Sequence, residues 1–149
     1  MRIVLDTNVL ARAASGPPSP AAELLILCLK SPHLLCVSPF LISELSRVLR
    51  YERVRRMHGM SDEVIDQFLQ DLQAASLTVE LPAESVVAGV TSDPDDDPIV
   101  ATAVEASAEV LCTLDRHLRT ANVVSYCAAH GVEVITDVDL LQRLRAADS

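Results

Sequence analysis

The strongest constraint in this sequence is a set of short, unbroken apolar runs separated by longer stretches of helical periodicity. The runs are Ile3-Val4-Leu5, Leu34-Leu35-Cys36-Val37, Leu77-Thr78-Val79, Val110-Leu111-Cys112-Thr113-Leu114 and Val132-Glu133-Val134-Ile135. Strands that are apolar throughout, rather than at alternate positions, are buried on both faces, as parallel strands are between two layers of helices. The segments between them supply such helices. Residues 20–30 predict a largely buried helix with Pro20 near its start. Ser38 caps a helix with Pro39 in its first turn, and Leu41, Ile42, Leu45, Val48 and Leu49 follow the 3.6-residue period. Ser61 caps another, with Val64, Ile65, Phe68, Leu69 and Leu72 on one face. Ile99, Val100, Ala103 and Val104 mark a helix after an acidic run at 93–97, and Asp137 caps a last one through Leu140, Leu141 and Leu144. Gly16-Pro17-Pro18-Ser19-Pro20 reads as a loop too near the start to divide domains. The prediction is a three-layer α/β/α sandwich around a mainly parallel sheet of about five strands. One domain, residues 1–149, accounts for the whole chain, and half of its residues are hydrophobic, enough for a sizeable core.

Charge narrows the function. The net charge of −9 opposes a binder that works by phosphate neutralisation alone. Aromatic residues make up 3% and Trp is absent, which leaves little for a base-stacking sheet surface. An enzyme that reaches phosphates through metal ions held by its own carboxylates remains compatible. No apolar stretch is long enough for a membrane span, and the opening run stops at Asp6, too soon for a signal-peptide core, so a cytoplasmic protein is expected. Cys28, Cys36 and Cys112 lie in apolar runs and Cys127 has no CxxC partner, so all four read as buried thiols; His33 beside Cys36 is a weak zinc signal.

In open α/β sheets the active site lies at the carboxyl ends of the strands. Asp6 directly follows the first strand, Asp115 follows the fourth, Asp97 opens the helix after the acidic run, and Glu44 lies on the helix after the second strand. Each has a plain structural reading: a turn for Asp6 and Asp115, a helix cap for Asp97, a solvated helix position for Glu44. Together they converge on one sheet edge. Carboxylates so grouped repel one another, and protonation or a cation must relieve the repulsion. Mg²⁺ and Mn²⁺ favour all-oxygen ligation and assist phosphodiester hydrolysis.

Four segments in order resemble the motifs of PIN-domain nucleases: Ile3-Val4-Leu5-Asp6-Thr7-Asn8-Val9-Leu10, Ser43-Glu44-Leu45, Asp97-Pro98-Ile99-Val100-Ala101-Thr102-Ala103 and Leu114-Asp115-Arg116-His117-Leu118. The Asp93-Pro94-Asp95-Asp96-Asp97 run is most similar to the subgroup of toxin components of type II toxin–antitoxin pairs. The resemblance implies an endoribonuclease that binds Mg²⁺ or Mn²⁺ through Asp6, Glu44, Asp97 and Asp115, with Thr7, Asn8 and Thr113 as nearby support. It also implies a homodimer and a small antitoxin protein that blocks the pocket. The acidic run leaves open whether Asp96 or Asp97 faces the metal; the interval to Ala101 favours Asp97, with Asp93 and Asp96 as outer helpers and Asp95 as a solvated loop residue. Some family members carry a further acid where this chain has His117.

Eleven of the twelve basic residues are Arg, and five fall between 47 and 56. Arg47 and Arg50 share a helix face with Glu44, and Arg116 and Arg119 follow the fourth acid, so these are the candidate RNA-phosphate contacts; a solvated face paired with acids is the plain alternative for the helix. The helices at 38–50 and 61–73 carry adjacent apolar faces that suit an amphipathic antitoxin segment, unless Val64, Phe68 and Leu72 pack inside the monomer or a homodimer. A receiver domain or a haloacid-dehalogenase-like phosphatase would need a lysine that this chain lacks at the required place, since Lys30 is its sole Lys, and a dinucleotide site would need a Gly-rich loop. A catalytically inactive binding module and a housekeeping RNA-processing nuclease are the remaining alternatives to a toxin.

Overall fold

A computed structural model describes residues 1–15 and 19–148. Five strands, β1 (Arg2–Leu5), β2 (Leu34–Val37), β3 (Leu77–Thr78), β4 (Val110–Cys112) and β5 (Glu133–Ile135), form a parallel sheet in the order β3-β2-β1-β4-β5. The central runs become strands covered on both sides, as the full burial of Ile3, Val4 and Leu5 shows, while the edge strands β3 and β5 are only partly covered. Helices flank the sheet, giving the expected α/β/α sandwich. They are α1 (Thr7–Ala14), α2 (Pro20–Cys28), α3 (Pro39–Leu49), α4 (Glu52–His58), α5 (Asp62–Ala75), α6 (Asp97–Glu105), α7 (Ala121–Ala129) and α8 (Asp137–Asp148).

Helix starts follow side-chain chemistry. Ser19, Ser38, Ser61 and Thr120 each accept a hydrogen bond from a backbone N–H in the first turn. Pro20 and Pro39 occupy the first helical position, where a missing N–H costs nothing. At α8 the cap is Thr136, not Asp137: Thr136 Oγ1 accepts from Asp139 N, while Asp137 bonds only the adjacent Val138 N. Most of the loop expected at 16–20 lies outside the described residues, although Ser19 and Pro20 start α2. Three helices lie outside the stretches that the sequence pattern marks as helical: α1, α4 and α7. The fourth strand ends at Cys112 rather than Leu114.

The order of strands fixes where a site can form. The chain runs from β1 outward to β2 and β3, then returns through α6 to lay β4 on the other side of β1. The crevice between the carboxyl ends of β1 and β4 is therefore the point where the winding reverses, the usual ligand position in such sheets. The register aligns Leu5 with Cys112 and Cys112 with Ile135, so Asp6 and Thr113 emerge at one level. Asp6 N–H still bonds Cys112 O at 2.9 Å, and Thr113 N–H bonds Ile135 O at 3.0 Å. All four cysteines are buried free thiols, as expected; burial pushes the Cys28 thiol up to about 12 and Cys112 in the same direction.

Candidate metal centre and adjoining groove

Asp6 leaves β1 as the N-cap of α1. Its Oδ1 accepts from Thr7 N–H at 2.7 Å and its Oδ2 from the Thr113 hydroxyl at 2.8 Å. Thr113 Oγ1 in turn accepts Asp115 N–H at 3.0 Å, and Asp115 Oδ1 accepts His117 N–H at 2.9 Å, capping a short 3₁₀ turn at Arg116–Leu118. One threonine thus ties the two strand-end acids together. Burial raises the Asp6 pKa above its ordinary value; the two hydrogen bonds oppose this, and the charges of Asp115 and Glu44 add to it.

Asp6, Thr7, Asn8, Glu44, Asp95 and Asp96 line a small cleft of about 70 Å³ between α1, α3 and the start of α6. Asp115 stands beyond Asn8, and its charge still acts on Asp6 and Asp96. Asp93 reaches the cleft only through its field on Asp96; its own Oδ1 accepts Asp95 N–H in a local turn.

Asp96 and Asp97 face different surroundings. Asp97 is 4% exposed, and both its oxygens point back into the preceding loop. Oδ1 accepts from Thr91 N–H at 2.9 Å and lies 2.8 Å from the Thr91 hydroxyl, while Oδ2 accepts from Gly89 N–H at 3.3 Å. Gly89 has φ +82, a conformation that favours glycine, so the loop is shaped to present these donors. Asp96 occupies the cap position of α6 but makes no capping bond, and its carboxylate lines the cleft. Partial burial, then the charges of Asp115, Asp93 and Asp6, push its pKa up to about 6, against a smaller opposing effect of His117. The oxygens of Asp97 are thus taken up by Gly89 and Thr91, whereas Asp96 lines the cleft with Asp6 and Glu44. Thr91, which decides this, carries no sequence signal of its own.

The cleft suits a divalent cation in composition. Its donors are oxygens, its carboxylates repel, and Thr7 Oγ1, on a residue 5% exposed, is a buried polar atom with no hydrogen-bond partner. As they stand, however, no three Asp, Glu, His or Cys side chains among the described residues converge closely enough to hold an ion together. Protein donors hold them apart: Thr113 and Thr7 hold Asp6, His117 N–H holds Asp115, and Arg47 Nη2 lies 2.6 Å from Glu44 Oε2.

The candidate RNA contacts divide. Arg47 is paired with Glu44, and Arg50 with Asp66 at 2.6 Å and Asp62 at 3.4 Å, so neither guanidinium is free. Arg116 carries no such pair and lines a wider groove of about 680 Å³ beside the acidic cleft. Asn8 and Val48 form the wall common to both. Arg119 lines the groove too, as do Arg12 and Arg53, which motif reading passes over; Arg12 lies one turn after Asn8 on α1, a spacing that places both on one side. Of the apolar faces on α3 and α5, Leu72 is buried while Val64 is 50% exposed.

Compared with known families, residues 2–117 match the model described as PIN domain. No curated protein matches the chain.

Proposed function

The chain belongs to the PIN domain family, whose fold is of the nuclease type, and on that premise we propose that it is a Mg²⁺- or Mn²⁺-dependent endoribonuclease, the toxin of a toxin–antitoxin pair. The observation that carries the nuclease reading is the cleft at the reversal point of the sheet, which Asp6, Glu44 and Asp96 line together with Thr7, whose buried hydroxyl has no hydrogen-bond partner among the described residues. In this reading Asp6, Asp96 and Asp115 hold the ion, and Glu44 binds it or orients water. The ion supplies charge neutralisation at the phosphate and a more acidic water. The chain's own residues do the rest. Thr113 fixes the direction of the Asp6 carboxylate, and Thr7 N–H holds its second oxygen. Asp97 fixes the loop that aims Asp96. Arg47 holds the Glu44 carboxylate beside the cleft. Water would attack phosphorus in line and give its proton to a cleft carboxylate such as Glu44, while the P–O bond on the far side breaks and the leaving oxygen takes a proton from solvent.

The toxin assignment rests on the acidic run at 93–97 and the motif order. With it come a single functional unit over 1–149, a cytoplasmic location, a homodimer and a small antitoxin that covers the α3–α5 face and the cleft. Among the described residues no helix is long and apolar enough to cross a membrane. The test is cleavage of single-stranded RNA by the full chain. Activity should vanish with EDTA, return with Mg²⁺ or Mn²⁺, and be lost in Asp6→Asn and Asp96→Asn. Full-rate cleavage in EDTA would overturn the proposal. Co-expression with the product of the adjacent reading frame separates a toxin from a housekeeping nuclease: a toxin co-purifies with that product and is inhibited by it.

A further inference from the structure

The eleven arginines fall into two sets. Six are engaged by carboxylates: Arg47, Arg50, Arg55, Arg56, Arg143 and Arg145. Of the other five, Arg2 donates to Ala106 O at the amino end of the sheet, away from the cleft. The remaining four, Arg12, Arg53, Arg116 and Arg119, line one groove. In a chain of net charge −9, these four guanidinium groups, without a carboxylate partner among the described residues, gather around one cavity. They come from three separate elements, α1, α4 and the 3₁₀ turn after β4, so the fold and not a local run assembles them. Uncompensated like charges on a groove wall repel and favour an anion that lies along it.

The groove also carries Tyr51, 48% exposed at the junction of α3 and α4. An exposed ring among guanidinium groups is a platform for a flat aromatic group. One end of the groove opens at Asn8 and Asp115, against the acidic cleft, while the opposite flank of that cleft is formed by Asp95 and Asp96. The cationic surface thus extends to one side of the cleft only.

We propose that this groove binds single-stranded RNA on one side of the phosphate to be cut, with backbone phosphates on Arg12, Arg53, Arg116 and Arg119 and one base stacked on Tyr51. Stacking on a single ring requires an unpaired base, which is why the occupant is a single strand and not a duplex. The proposal rests on the nuclease reading for the nature of the ligand. It goes beyond it in joining Arg12, Arg53 and Tyr51 to Arg116 and Arg119 on one groove wall and in making recognition one-sided.

The test is fluorescence anisotropy of the full chain with a labelled single-stranded RNA oligonucleotide, in EDTA so that no cleavage occurs, across a range of salt. Arg12→Gln with Arg53→Gln should weaken binding at least tenfold and lower the slope of log affinity against log salt by about 1.4, at about 0.7 per phosphate contact on a single strand. Arg116→Gln with Arg119→Gln should do the same. Tyr51→Ala should weaken binding about tenfold with the slope unchanged, and Tyr51→Phe should restore it. Arg143→Gln, on the far pair with Glu133, should bind as the wild type does. Unaltered affinity and slope in both double variants overturn the groove assignment and leave the nuclease reading standing. A wild-type chain that ignores RNA but binds a polyglutamate peptide through these arginines overturns it in favour of an acidic protein segment. RNA binding lost in the double variants, alongside a wild type that cleaves no RNA with any divalent ion, upholds the groove and overturns the nuclease.

Discussion

Two adjacent aspartates with opposite duties define the residue scale. Asp97 accepts three donors from Gly89 and Thr91, whereas Asp96 accepts none from a helix cap and faces other carboxylates. Replacing them should separate stability from binding. Asp97→Ala strands the buried Thr91 N–H and also loses the bond from Gly89 N–H, and should lower unfolding free energy by about 1–3 kcal/mol, read by urea denaturation. Asp96→Asn should keep the fold and remove most Mn²⁺ binding, read by calorimetric titration. Equal loss of Mn²⁺ binding with no loss of stability in Asp97→Ala would reverse the assignment. The raised pKa of Asp96 adds a pH signature. Its folded value of about 6 lies above the ordinary value of 3.8, so between those values the folded state holds more protons than the unfolded. Its contribution is therefore fully present below about pH 4 and lost as pH rises through about 6. In metal-free protein the stability of Asp96→Asn relative to wild type should rise across that window and level off above it. A flat difference would mean that Asp96 is solvated.

At the scale of elements, the ends of β1 and β4 are joined by Thr113, whose hydroxyl donates to Asp6 and accepts from Asp115 N–H. Thr113→Val keeps the shape and removes both bonds, so it should cost about 1–3 kcal/mol and weaken Mn²⁺ binding; Thr113→Ser should restore both. Equal Mn²⁺ affinity in all three proteins would make the bridge structural only. This scale also shows what a sequence makes legible. All five strands and the caps at Ser38 and Ser61 could be read directly, because doubly buried strands and Ser-Pro starts leave local marks. The short helices α1, α4 and α7 could not. Helix α1 begins inside a motif whose acid draws attention, α4 buries no residue, and α7 has only Val123 and Cys127 buried. The site was legible to the level of its strand-end acids, Asp6 and Asp115, whose positions follow from the strands. The surroundings of Asp96 and Asp97 could not be told apart in the acidic run, because Thr91 and Gly89 distinguish these neighbours through bonds that leave no local mark. The ion pairs of Arg47 and Arg50 were hidden for a related reason: their carboxylate partners lie on the same helix and on α5, and pairing with acids is one of the two readings the sequence leaves open.

For the whole molecule, the distribution of charge couples folding to the cation. The chain carries 21 acids against 12 basic residues, and it concentrates several acids in one cleft where burial and mutual repulsion raise Asp6 and Asp96. An ion bound only by the folded state stabilises it by an amount that grows with the logarithm of its concentration, about 2.7 kcal/mol at a hundred times Kd. For a chain of this size that corresponds to a rise in Tm of about 5–10 °C, read by differential scanning calorimetry. The effect has a pH dependence opposite to that of the metal-free protein. The ion requires ionised carboxylates, so its gain should be small near pH 4 and full above about pH 6, where repulsion in the empty cleft is greatest. Asp6→Asn and Asp96→Asn should each lose the shift. Arg143→Gln, whose guanidinium pairs with Glu133 on β5, should keep it. Equal stabilisation by Mn²⁺ of the wild type and both cleft variants would place the ion elsewhere on this acidic surface and remove the cleft from the chemistry.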